Sequence, residues 1–275
     1  MPPADGTDWR EATVEEEQAV EIHSGDLLAV AIVSAIRQGN VDAVGTLLAQ
    51  HTELARARIR DPGGGTSTLL HVVTDWPGYF PGGPQIVRLL IDAGADPNAA
   101  VTGSWHAETP LHWAASSDDS DVAAALIDGG ADIEARGASI AGGTPLDDAV
   151  GYGCWHVARL LAERGARVQS LWHAAALGMT TRVEELLDSD PPHSPEEIDH
   201  AFWQACHGGQ RRTAEYLHAR GANIDAIPDH SKHTPSTSPP DPTLAGKQSC
   251  PGSATTAPDP PRSYPRTDSL RPSQN

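Results

Sequence analysis

The feature that most restricts this chain is a short pattern that returns along its length: an apolar or small residue at j, then a pair at j+3 and j+4. Six instances stand in series: Val44/Leu47/Leu48, Ile86/Leu89/Leu90, Val122/Ala125/Leu126, Val157/Leu160/Leu161, Val183/Leu186/Leu187 and Thr213/Tyr216/Leu217. That spacing puts three side chains on one face of a helix. Such a face can press against a neighbouring element, and its return along the chain marks an internal repeat. Gly94-Ala95, Gly130-Ala131, Gly165-Ala166 and Gly221-Ala222 close several of the helices, where a left-handed backbone suits glycine.

A second signal precedes these helices: Thr68-Leu69-Leu70-His71, Thr109-Pro110-Leu111-His112, Thr144-Pro145-Leu146-Asp147 and Ser170-Leu171-Trp172-His173. Threonine followed by proline is a good helix start, because proline has no amide hydrogen to lose in the first turn. From Thr109 to Leu126 and from Thr144 to Leu161 the separation is the same, as a stacked repeat requires.

With Thr109-Pro110-Leu111-His112-Trp113-Ala114-Ala115 intact, the sequence resembles the ankyrin-repeat family over about residues 27–230. The resemblance implies an all-α solenoid of helix-turn-helix units, in approximate segments 27–65, 66–106, 107–143, 144–169, 170–199 and 200–230. It also implies that Thr109, Pro110, Leu111, His112, Thr144, Pro145, Leu146, His71 and His173 are structural. Their imidazoles are expected to bond backbone groups in their own and adjacent units.

The departures from the pattern are local. Unit two holds roughly five extra residues between its helices, within Trp76-Pro77-Gly78-Tyr79-Phe80-Pro81-Gly82-Gly83. The connection around Gly103-Ser104-Trp105-His106 is long, whereas Arg167-Val168-Gln169 is too short for a projecting turn. The outer units replace the motif with Ala31-Ile32-Val33-Ser34 and His200-Ala201-Phe202-Trp203, as solenoid ends do. Gly63-Gly64-Gly65-Thr66 reads as a flexible connection.

Residues 1–26, with eight acids against one arginine, are expected to be mostly disordered, with a short helix around Val14 to Ile22. Residues 231–275, with ten prolines and fourteen serines or threonines, are expected to form a disordered tail. The longest nearly apolar run, Leu27 to Ile36, is far short of the roughly 20 residues that cross a bilayer. The acidic N-terminus is unlike a secretion signal, and the expected location is cytoplasmic.

Histidines 71, 112 and 173 invite a metal reading, but equivalent residues of stacked helices lie about 8 to 10 Å apart, against about 2 Å for a zinc–nitrogen bond. No metal or other cofactor is expected. Cys154, Cys206 and Cys250 have neither paired nor C-x-x-C spacing, so structural thiols are expected. Asp118-Asp119 and Asp147-Asp148 read as solvated helix starts favoured by the dipole.

A formal charge of −18 repels phosphate backbones and anionic lipid, which argues against nucleic acid and membrane partners and for a protein with a basic surface. The leading expectation is a non-catalytic module binding another protein, with Trp76, Tyr79, Phe80 and Trp105 as contact candidates because they lie in insertions or turns. Trp113, Trp155, Trp172 and Trp203 are expected in the core. Two alternatives stand: an enzyme built from a cross-repeat cluster such as His112, Asp148 and Cys154, and a homodimer formed through the C-terminal end of the array.

Overall fold

Each apolar triplet folds as the second helix of an antiparallel pair, in a computed structural model that describes residues 20–226. The pairs are α1 (Leu27–Arg37) with α2 (Val41–Gln50), α3 (Leu69–Thr74) with α4 (Gly83–Asp92), and α5 (Pro110–Ser116) with α6 (Ser120–Asp128). They continue with α7 (Pro145–Gly151) and α8 (Trp155–Glu163), α9 (Leu171–Ala176) and α10 (Thr180–Leu187), and α11 (Pro195–His207) and α12 (Arg211–Ala219). First helices stack on first helices, and α2, α4, α6 and α8 stack in a second layer. The positions j and j+4 point between the layers: Val44, Leu48, Ile86, Leu90, Val122, Leu126, Val157 and Leu161 are all buried. Unit five is weaker, since Val183 is buried but Leu186 and Leu187 only half so. A fully buried side chain of this kind stabilises the fold by roughly 1.5–3 kcal/mol.

The helix starts explain the conserved spacing inside the chain. Thr68, Thr109 and Thr144 cap α3, α5 and α7 in capping boxes whose returning partner, three residues on, is His71, His112 or Asp147. The amide of Thr109 donates to His112 Nδ1 over 3.0 Å, that of Thr68 to His71 Nδ1 over 3.2 Å, and that of Thr144 to Asp147 Oδ2 over 2.7 Å. With Nδ1 accepting, the proton of His71 sits on Nε2, which donates to the Glu108 carbonyl of the next unit over 3.1 Å. The threonine-histidine pair thus closes its own helix and, at His71, ties it to a neighbour. Leu111 and Leu146 beside these boxes are fully buried. At the helix stops, Gly94, Gly130, Gly165 and Gly221 hold φ between 95° and 101°.

One end of the array differs from the sequence expectation. Three short strands, β1 (Glu21–His23), β2 (Arg58–Arg60) and β3 (Thr66–Thr68), form a sheet in which β2 lies between a parallel β1 and an antiparallel β3. Residues around Ile22 are therefore strand, not helix or disordered chain: Ile22 pairs with Ile59 and packs on the core, while the Arg60 guanidinium grips the Glu21 carboxylate. Gly63-Gly64-Gly65 is likewise the tight turn of a hairpin, closed by the Asp61 amide on the Gly65 carbonyl at 2.9 Å. Both corrections share a cause, since the hydrogen bonds that order these residues come from a distant or facing strand. Residues 1–19 and 227–275 lie outside the described part, and with them most of the acidic segment and the whole Pro/Ser/Thr tail.

The apolar core has two parts. One runs from Ile32 to Leu161 and adds Ala166 and Ala176; the other gathers Leu171, Ala174, Ala175, Val183, Ala201, Phe202, Ala205, Ala214, Leu217 and Ala222. They meet at the short connection Arg167-Val168-Gln169, where Val168 packs against both.

Candidate functional site

The two long insertions project from opposite ends of the helices. The segment carrying Trp76, Tyr79 and Phe80 joins α3 to α4, at the end where first helices stop. Trp105 lies between α4 and α5, at the end where first helices begin. These four residues therefore do not form one patch.

The Trp76–Gly83 insertion is pinned on both sides. Towards unit three, the Tyr79 amide donates to Asp119 Oδ2 at 2.6 Å, and the Tyr79 hydroxyl donates to the Asp118 carbonyl. Tyr79 and Asp118 both hold φ near 57°, a left-handed backbone that non-glycine residues rarely adopt, so these contacts hold two strained turns together. Towards unit one, Pro81 sits so close to Gly39 that a Cβ there would lie 2.2 Å from the Pro81 carbonyl oxygen. Arg37 adds an ion pair with Asp75 at 2.9 Å. The insertion clamps three units; Phe80 is half-buried in it, whereas the rings of Tyr79 and Trp76 remain 60% and 66% exposed.

The Trp105 loop is held at its base and free at its tip. The Val101 amide donates to the Glu108 carbonyl at 2.9 Å, and Thr66 and Thr102 exchange backbone hydrogen bonds, which extends the hairpin's edge into this finger. Trp105 is fully exposed.

The titratable residues singled out in the sequence are engaged by the scaffold. Burial lowers the pKa of His71 to about 3 and those of His112 and His173 to about 4, so all three are neutral caps or packing groups at neutral pH. The acid pairs are not solvated helix starts, contrary to the expectation. Asp119 is 2% exposed and caps α6 through the Val122 amide, because the insertion covers it. Asp118 accepts from the amides of His156 and Val157, each at 3.0 Å, and lies 2.6 Å from His156 Nδ1. Asp148 is fully buried beneath the unit-three finger, where its Oδ1 accepts from Ser139 Oγ at 2.9 Å and from the Ile140 amide at 3.0 Å. Burial, with the Glu108 charge adding to it, raises the Asp148 pKa to about 7. Cys154 is buried at the start of α8, with Sγ 3.4 Å from the Ser116 carbonyl. His112, Asp148 and Cys154 thus serve a helix start, a finger anchor and an inter-helix turn.

Of the helical tryptophans, Trp155 and Trp203 are buried. Trp113 and Trp172 are half-buried in the first-helix layer. Trp113 stands edge-on to His71 at 5.0 Å and donates to Glu108 Oε2 at 3.2 Å.

Trp172 belongs to a site that the sequence reading did not nominate. A notch of about 190 Å³ opens between the starts of α9 and α11, lined by Ser170, Leu171, Trp172, His193, Glu197 and His200. The rings of Trp172 and His200 run nearly parallel, 18° apart with centroids at 5.6 Å, and His193 Nδ1 lies 3.3 Å from Glu197 Oε2. Its signal was present in the sequence as the missing finger at Arg167-Val168-Gln169, which leaves these helix starts uncovered.

Residues 79–170 match the family model for ankyrin repeats in three copies. The chain is similar to Protein PhlB of Serratia liquefaciens, with 28% identity over 177 residues, covering 64% of this chain and 66% of that protein. It is also similar to the B-cell lymphoma 3 protein homolog of Mus musculus, with 37% identity over 92 residues, 32% of this chain and 19% of the other. The chain therefore spans less than two thirds of the length of either curated relative. Among solved structures, the human ASB11 ankyrin repeat domain aligns with a TM-score of 0.47 and 20% identity over 77% of this chain and 91% of that one. The ankyrin repeat domain of Bcl-3 aligns with a TM-score of 0.45 and 26% identity over 77% and 93%. Residues 79–170 are thus three ankyrin repeats, and the same helix-pair architecture continues on either side of them.

Proposed function

We propose that this chain is a non-catalytic binding module that holds a partner protein with a basic surface along its finger side. The observation that carries the reading is Trp105, fully exposed at the tip of a finger whose base is fixed by backbone pairing. A rigidly presented indole contributes nothing to the core and is the kind of residue that dominates binding energy at protein interfaces. The formal charge of −18 supports a cationic partner, steered at long range and sensitive to salt. The scaffold roles of His112, Asp148 and Cys154 support a non-catalytic reading. On the opposite side, Tyr79 and Phe80 serve the clamp, and Trp76 is the residue there that remains for a second contact.

The test is affinity capture from source cells at low and high salt, with wild type, Trp105→Ala and the pair Trp76→Ala/Tyr79→Ala compared. Trp105→Ala is expected to lose a salt-sensitive partner while its far-ultraviolet circular dichroism is unchanged. Capture that is indifferent to both salt and Trp105 contradicts the reading.

A further inference from the structure

We infer that the notch between the starts of α9 and α11 receives an arginine side chain of the partner protein. This rests on the binding-module reading above and places a second contact on the same finger side. The notch exists because the connection Arg167-Val168-Gln169 builds no finger, so the first turns of α9 and α11 stand open between units four and six. Its volume of about 190 Å³ is below the roughly 300–1,000 Å³ of pockets that enclose whole small molecules, and suits a single long side chain.

The chemistry of the lining selects a planar cation. Leu171 is buried, and the Trp172 and His200 rings, 18° from parallel with centroids 5.6 Å apart, both line the notch. Glu197 stands at the rim with its side chain 58% exposed. Both hydrogen-bonding contacts of that carboxylate, to the Ser194 amide at 2.8 Å and to His193, use Oε2, which leaves Oε1 for a ligand. The Ser194 hydrogen bond also holds the Glu197 carboxyl below its ordinary pKa, so it is charged at neutral pH. The nearby arginines have partners already: Arg167 bonds Glu134 at 2.9 Å, and Arg182 bonds the Val168 carbonyl and Glu185. A guanidinium is flat and lies against aromatic rings while one of its N–H groups donates to the free Oε1, whereas an ammonium offers only a point charge.

The experiment uses the full chain and follows tryptophan indole resonances by NMR while N-acetyl-arginine methylamide is added. The Trp172 signal is assigned from its loss in Trp172→Phe. Saturable movement of that signal in the roughly millimolar range is expected, as befits a ligand of so few atoms. The citrulline analogue, which keeps the shape and lacks the charge, is expected to move nothing. Glu197→Gln retains a side chain that serves in the capping box and is expected to weaken the arginine probe at least about fivefold. Equal response to citrulline, an unweakened Glu197→Gln variant, or no movement up to about 50 mM probe overturns the assignment. Partner capture separates this failure from that of the wider reading: a partner lost with Trp105→Ala but held fully by Glu197→Gln overturns the notch alone.

Discussion

The starts of α5 and α9 occupy the same place in their units and carry similar residues, Thr109 with His112 and Ser170 with His173, yet only the first forms a capping box. At α5 the His112 ring turns back to the Thr109 amide. At α9 the His173 ring lies against Trp172, with centroids 3.9 Å apart and Nε2 at 3.5 Å from Asp147. Thr68, Thr109 and Thr144 all follow a projecting finger and hold ψ between 169° and 171°, whereas Ser170 follows three connecting residues and holds ψ at 141°. The finger sets the angle at which the chain enters the helix, and that angle lets the residue three positions on reach back. Where the finger is missing, the cap goes with it, the core divides, and a notch opens.

The largest expected difference between the two regions is in packing. Leu126→Ala removes a fully buried side chain from the first core and is expected to cost about 3 kcal/mol, against about 1 kcal/mol for the half-buried Leu187→Ala in unit five. Chemical denaturation followed by circular dichroism measures both, and equal losses would erase the distinction between the cores. Next come the two histidines. His112→Ala breaks a box and is expected to cost about 2 kcal/mol, His173→Ala about half that, by the same measurement.

Acid sharpens the contrast further. His71, His112 and His173 have folded pKa values near 3, 4 and 4, below the unfolded value of about 6.5. The unfolded chain therefore binds more protons, and stability falls as pH drops from about 6.5 towards 4. Asp148 acts in the opposite sense: its pKa near 7 lies above the unfolded value, so it costs stability as pH rises from about 4 to 7. Three imidazoles outweigh one carboxyl, and melting temperature is expected to fall on acidification. In Asp148→Asn the opposing contribution is gone, and the fall should steepen by up to about 1.4 kcal/mol per pH unit. A flatter profile in that variant would contradict the burial of Asp148. The smallest effect belongs to Ser194→Ala, which is expected to cost about 0.5 kcal/mol and to loosen amide exchange in α11 alone.

Most of the architecture was legible in the sequence because it depends on local spacing. The triplets, the Gly-Ala stops and the Thr-Pro starts each involve residues within one turn or two of a helix, and the missing finger shows as a length. The rest depends on partners far along the chain. Glu21–His23 becomes a strand only because β2 offers an edge, and nothing in Glu-Ile-His announces it. Asp118 and Asp119 read as solvent-facing until the unit-two insertion folds across them, with the Tyr79 amide 2.6 Å from Asp119. The contact candidates were nominated as aromatics of insertions and turns, but their division between two sides of the array follows from the direction of α4, which places Trp76 and Trp105 at its opposite ends. The notch required Trp172, Glu197 and His200 to meet across two units joined by an irregular connection.

The most direct test of the finger-side account is hydrogen exchange across the chain, read by mass spectrometry with and without the captured partner. Protection is expected in the finger around Trp105 and in the starts of α9 and α11 around Trp172 and Glu197, with the Trp76–Gly83 clamp unchanged. Protection confined to the clamp, or none on the finger side, would contradict it.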